Sequence, residues 1–145
     1  MSVDVIRITQ EPLALDRVLN LIGHHADGSA GDDSEAGAVV TFSGIVRGTE
    51  HGAAIAGLDY EHYVGMAEKE MTRLVSEARQ RWPLRRIALV HAVGFVPTAR
   101  TSVVVAVSAG HRAEAFEAAR FLIDELKRSV PVWKQDAAGQ SAQET

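Results

Sequence analysis

The stretch Thr101–Ala109, TSVVVAVSA, constrains the fold more than any other part of the chain. Val103–Val107 is an unbroken apolar run rich in β-branched side chains, which are stiff at χ1 and pack well on a pleated surface. A short run of this kind reads as a central strand buried on both faces. The chain must therefore build a sheet and cover it from two sides. With 145 residues, 46% of them hydrophobic and 23% charged, it has the apolar material for one such domain without disulfide staples.

The remaining segments supply the partners. Val3–Thr9 (VDVIRIT) alternates as a strand, Pro12 fits a first helical turn, and Leu15, Val18, Leu19 and Ile22 keep a helical period up to Gly23. His24–Ala36 is polar, acidic and rich in turn formers, which predicts a mobile surface loop. Gly37–Arg47 reads as a strand in which Gly44 marks a bulge or a close backbone approach, and Ile55–Tyr63 as a second strand. The two are expected to form a hairpin around the turn-rich GTEHGAA. Met66–Trp82 is amphipathic, with Met71, Leu74, Val75 and Ala78 on one face and Pro83 as its stop. RIALVHAV is a further strand, joined through GFVPTAR to the valine strand. The last helix runs from about Arg112 to Ser129, with Phe116, Ala119, Leu122, Ile123 and Leu126 on one face, and Pro131 ends it. The expected class is α+β, a mostly antiparallel sheet with two long helices packed on it. One domain spans residues 1–136, and AAGQSAQET (137–145) is expected to be a flexible tail.

Composition narrows the chemistry. There is no cysteine, which excludes a thiolate metal site and a cysteine nucleophile, so any sulfur chemistry must use sulfur brought from outside. A net charge of −4 argues against general nucleic-acid binding. No apolar run approaches the roughly 18 residues of a membrane span, and MSVDVIRITQ lacks a signal peptide's basic-then-apolar pattern, so a cytoplasmic location is expected. Among 15 cationic residues only Lys69, Lys127 and Lys134 are lysines, and two of these lie seven residues apart.

Three places could carry chemistry. At Ala109-Gly110-His111-Arg112 a buried strand ends and a helix begins, so free backbone N–H groups and the positive end of a helix dipole meet an imidazole and a guanidinium. That is an anion site suited to phosphate, or else a helix cap beside a surface arginine. Lys127 and Lys134 are either solvated lysines or amines able to move protons, since a lysine pKa falls readily on burial. Arg47 closes a strand before a glycine-rich turn, where sites tend to form. His62 and His91 read as core or supporting groups, and Glu61 as a partner for a nearby arginine. His24 and His25 could bind metal, alone or with His51, but without a third ligand at sensible spacing they read as solvated loop residues.

TFSGIVRG, LDYEHYVGMAEKE, VHAVGFVP and SAGHRAEAFEAARFLIDELKRSVPVWKQD, in this order and spacing, resemble the MoaE family, the large catalytic subunits of molybdopterin synthase. The resemblance covers about Gly37 to Asp136 and implies the MoaE-like α/β hammerhead fold. It also implies a sulfurtransferase that converts cyclic pyranopterin monophosphate into molybdopterin. By the same resemblance, the sulfur would come from the C-terminal thiocarboxylate of a small ubiquitin-like carrier subunit, and the assembly would be a homodimer within a heterotetramer. No resident cofactor or metal is implied.

Carried over by motif, Lys127 is the lysine nearest the chemistry and Lys134 the second lysine of the pocket, with Gln135 and Asp136 beside it. By the same matches Arg47, His111 and Arg112 would bind the anionic substrate, Ile45 and Val46 would line the turn at Arg47, and Phe42 and Ile123 would shape the pocket wall. The chain departs from the family pattern at Ala92, where an arginine is usual. It departs again after Trp133-Lys134, where the family commonly carries a tryptophan-containing tail that can reach across the dimer. The alternative reading is a non-catalytic relative that binds a pterin phosphate or a carrier tail.

Overall fold

In the computed structural model, which describes residues 3–135 and 141–143, the valine strand lies where its composition requires. β8 (Thr101–Ala109) sits between β6 (Leu84–Ala92) and β2 (Ala38–Ile45), and β1 (Val3–Thr9) completes the order β1-β6-β8-β2. β1 runs parallel to β6, and the other two pairings are antiparallel. One face is covered by α2 (Met66–Arg81) and α3 (Arg112–Ser129), and the other by the short α1 (Leu15–Leu21).

Strand alternation divides the core accordingly. Val103, Val105 and Val107 join Ile87, Leu89, Met71, Leu74, Leu122 and Leu126 in the larger cluster. Val104 and Ala106 face the other way, onto Val18, Ile22, Ala88 and Val90. Burying each such valine or leucine contributes about 1.5–3 kcal/mol, so β8 anchors both layers.

α3 keeps its expected limits and, apart from Phe116, its expected face. Its buried stripe is Ala115, Ala118, Ala119, Leu122, Ile123 and Leu126, while Phe116 is 61% exposed. Small residues at 115, 118 and 119 let the helix lie close to the sheet, and Phe116, about 100° around the helix from Ala115, is left outside. Pro12 likewise stands before α1 rather than in its first turn, because Leu13 bridges to Thr101.

The expected hairpin between β2 and the strand after it does not form. β5 (Gly57–His62) instead enters a second sheet with β7 (Gly94–Pro97), β9 (Val132–Gln135) and β10 (Ser141–Gln143), in the order β10-β9-β5-β7. Two backbone hydrogen bonds turn the chain aside: Val46 N donates to Arg100 O at 2.9 Å, and Ala99 N donates to Val46 O at 2.8 Å. The connection then makes its own small hairpin, β3 (Thr49–Glu50) and β4 (Ala53–Ala54). Ser141–Gln143 lies in the closing segment expected to be flexible, and it pairs antiparallel with β9.

The acidic segment 24–36 lacks regular structure, as expected, but it is tied down rather than free. Asp33 is buried and accepts hydrogen bonds from Arg85 Nη2 at 2.7 Å and Nε at 3.1 Å. Arg86 reaches Asp32 at 2.6 Å and donates to the carbonyls of Ile22 and Ala30. The Arg85 hydrogen bond holds the Asp33 carboxyl below the usual carboxylate range, and the Arg86 hydrogen bond does the same for Asp32. Burial, followed by the neighbouring Arg86, lowers the pKa of His24.

Candidate active site

The second sheet exists to bring distant residues together. β5 and β9 run antiparallel with Tyr60 opposite Lys134, and paired residues share a face of the sheet. The Tyr60 ring is held from behind by His91, edge to face at 5.2 Å between centroids. His91 is fully buried, and its Nδ1–H donates to the Ala92 carbonyl at 2.6 Å, which fixes the proton on that nitrogen. His91 therefore supports the site from the core, in keeping with its sequence reading. Glu61, on the opposite face of β5, accepts from Trp133 Nε1 at 3.0 Å rather than from an arginine.

Lys127 stands in the last turns of α3, where the helix dipole favours a cation. The chain reverses at Val130–Pro131, with Tyr63 N donating to Pro131 O, and returns as β9. That reversal places the two lysines, seven residues apart in sequence, on one cleft. The cleft measures about 270 Å³ and is lined by Ile45, Val46, Arg47, Glu50, Tyr60, Lys127 and Lys134, together with Gly44, Leu58 and Ser102.

Five of the residues read from sequence thus converge: Arg47, Lys127, Lys134, Ile45 and Val46. The cleft holds three cations against one carboxylate in a chain whose net charge is −4. Glu50 Oε1 lies 3.2 Å from Lys134 Nζ. Such a cluster, at the edge of an apolar core, is suited to an anionic group.

The other expected members lie elsewhere. His111 and Arg112 are exposed at the opposite end of α3, beside a separate open hollow of about 410 Å³ with Gly37, Gly110 and Ala113. Lys127 lies sixteen positions beyond His111 along α3, a rise of roughly 24 Å, so one chain cannot bring both to a small ligand. His111 occupies the N-cap position of α3 without a side-chain capping bond. Ile123 is buried in the core and Phe42 stands on β2, and neither lines the cleft. Gln135 follows Lys134 on β9 opposite Asp59, and Asp136 lies outside the described residues.

Glu50, Tyr60, Leu58 and Ser102 were not read from the sequence. The alternation that buries Leu58 and Tyr60 while exposing Asp59 and Glu61 was a usable signal for the Tyr60 face. Among the described residues no cluster of three His, Cys, Asp or Glu could hold a metal ion, and His24 and His25 lie on a different loop from His51. No described helix is long and apolar enough to cross a membrane.

Fold and cleft together define an α+β domain that gathers two lysines and an arginine on one cleft. Residues 8–129 match the family model described as MoaE protein, and the chain belongs to that family. It is 38% identical over 141 residues to the molybdopterin synthase catalytic subunit of Bos taurus, covering 97% of this chain and 70% of the relative. The corresponding subunit of Yersinia pestis is 47% identical over 103 residues, which is 71% of this chain and 68% of that one. Among solved structures, the molybdopterin biosynthesis MoaE protein of Burkholderia ambifaria superposes with a TM-score of 0.80 at 30% identity, covering 100% of this chain and 92% of that one. A chain from the complex of subunits 1 and 2 of the Helicobacter pylori molybdopterin-converting factor shares the fold, with a TM-score of 0.71 at 20% identity over 98% of this chain and 88% of that one.

Proposed function

We propose that this chain is the catalytic subunit of a cytoplasmic molybdopterin synthase. The reaction moves sulfur from the C-terminal thiocarboxylate of a small ubiquitin-like carrier subunit to cyclic pyranopterin monophosphate, forming the dithiolene of molybdopterin. The observation that carries this reading is the convergence on one cleft of Arg47, which follows β2, with Lys127 at the end of α3 and Lys134 on β9, about eighty residues further along the chain. A cysteine-free chain has no sulfur nucleophile of its own, in keeping with sulfur delivered from outside.

Arg47 holds the anionic substrate and the charge that develops on it, a role for fixed donors in a partly enclosed site. Lys127 moves protons as sulfur adds and the phosphate ring opens. Lys134 steadies the phosphate or the acyl group of the carrier. Each sulfur delivered leaves the carrier with a carboxylate in place of its thiocarboxylate.

His111 and Arg112 can act on the same substrate only from a second copy of the chain, given the roughly 24 Å of helix between them and Lys127. A homodimer within a heterotetramer meets that requirement. Val39, Phe42 and Ile45 on β2, at the edge of the first sheet, and Phe116 on the adjoining α3 are exposed large hydrophobic side chains of the kind an interface covers. Mixing the purified chain with cyclic pyranopterin monophosphate and thiocarboxylated carrier tests the reading. Dithiolene-bearing product is expected, whereas a stable carrier complex without product would favour a relative that only binds.

A further inference from the structure

We propose that Glu50 is a built-in competitor for the anion, a carboxylate on a movable hairpin that an incoming anionic group must displace from Lys134. The inference rests on the sulfur-transfer reading only for what that anion is.

Glu50 comes into the cleft on the β3–β4 hairpin. His51 and Gly52, at its tip, both have positive φ (52° and 79°), the pattern of a tight two-residue hairpin turn. This turn pairs Glu50 with Ala53 and Thr49 with Ala54, and the described hairpin has no further strand pairing. Thr49, His51, Gly52, Ala53 and Ala54 are all exposed, and Ile55 N donating to Gly48 O closes the base. A two-stranded ribbon on such a narrow base is marginal by itself, so lifting it disturbs little of the core.

Glu50 is the one hairpin strand residue turned inward. Its side chain is 13% exposed and that of Lys134 is 23% exposed, with 3.2 Å between Oε1 and Nζ. A pair this sheltered is screened less than a surface ion pair, so it is a genuine rival to a ligand for the same ammonium. The rivalry sets a threshold: weak anions leave Glu50 in place, and a phosphate or a C-terminal carboxylate backed by Arg47 and Lys127 displaces it.

The test is a titration of the full chain with two probes, inorganic phosphate and a synthetic peptide ending in Gly-Gly with a free carboxylate. Glu50→Gln and Glu50→Ala should each lower the Kd for at least one probe by about fivefold, and the gain should vanish when Lys134→Ala is added. A gain for phosphate alone assigns the seat to the substrate's phosphate, and a gain for the peptide alone assigns it to the carrier tail. Unchanged or weaker binding in both variants would overturn the proposal, because Glu50 would then merely prop Lys134. Reconstituted turnover separates the two claims. Turnover without an affinity gain removes this inference alone, and a gain without turnover removes the sulfur-transfer reading and leaves the competition standing.

Discussion

Replacing Gly44 by alanine loads the most tightly packed point between β2 and β8. Gly44 lies where the β2–β8 register shifts, opposite Val103. A Cβ at position 44 would stand 2.6 Å from Val103 Cγ1, and Val103 is fully buried with sheet neighbours and the helix layer around it. The valine cannot swing into solvent, so Gly44→Ala overpacks the core and should cost about 1–3 kcal/mol. Val103→Ala alone removes two methyl groups, for about 1.6 kcal/mol of transfer energy plus a cavity contribution. In the double variant the new methyl occupies space that the valine vacates, so the two costs should fall short of additivity by at least about 1 kcal/mol. Urea unfolding of the four proteins, with unchanged m-values, reads this directly. Additivity within about 0.5 kcal/mol, or a neutral Gly44→Ala, would refute the close approach.

Four further outcomes are expected. Lys127→Ala should reduce turnover by about 10²–10⁴-fold with the far-ultraviolet circular dichroism unchanged; wild-type rates would remove the proton-transfer role. A Lys127→Ala chain mixed and reassociated with a His111→Ala/Arg112→Ala chain should recover about a quarter of wild-type activity, since half the dimers then carry one intact composite site. No recovery would show that the two groups do not serve one site across copies. Ala99, at φ 70°, sits in a conformation that favours glycine, so Ala99→Gly should stabilise by about 0.5 kcal/mol, read as a higher urea midpoint. Asp33, its folded pKa depressed by Arg85, contributes stability that is present above the unfolded carboxylate value near 3.9 and lost as pH falls through the folded value. The stability gap between wild type and Asp33→Asn should therefore be open at pH 7 and close below about pH 4, and a gap that stays constant with pH would refute it.

What the sequence made legible was local. The valine run named the central strand because burial on both faces leaves no polar alternation to misread. α3 was bounded correctly because Gly110 and Pro131 flank an uninterrupted helical period. Phe116 misled because the alanines at 115, 118 and 119 carry little hydrophobic weight yet face the sheet. The false hairpin came from treating neighbours in sequence as neighbours in space, whereas β5 finds its partners in β7 and β9, well beyond it along the chain.

The site divides in the same way. Arg47, Lys127 and Lys134 stood out as unusual cations or at an element's end, and the resemblance tied them together. Glu50 gave no signal, since a glutamate in a turn-rich segment is ordinary until the hairpin carries it 3.2 Å from Lys134. The distance between His111 and Lys127 was implicit in the length of α3, and only the assembled cleft made it matter.

If sulfur passes from a carrier's thiocarboxylate at this cleft, the carrier's own mass must change there. Mass spectrometry of the thiocarboxylated carrier, incubated with cyclic pyranopterin monophosphate and either the wild-type chain or Lys127→Ala, tests it most directly. The wild-type chain should lighten the carrier by the difference between sulfur and oxygen as sulfur appears in the pterin, and Lys127→Ala should leave the carrier intact. A carrier that keeps its sulfur with the wild-type chain would rule out sulfur transfer here, and one that loses it equally fast with both would rule out the role of Lys127.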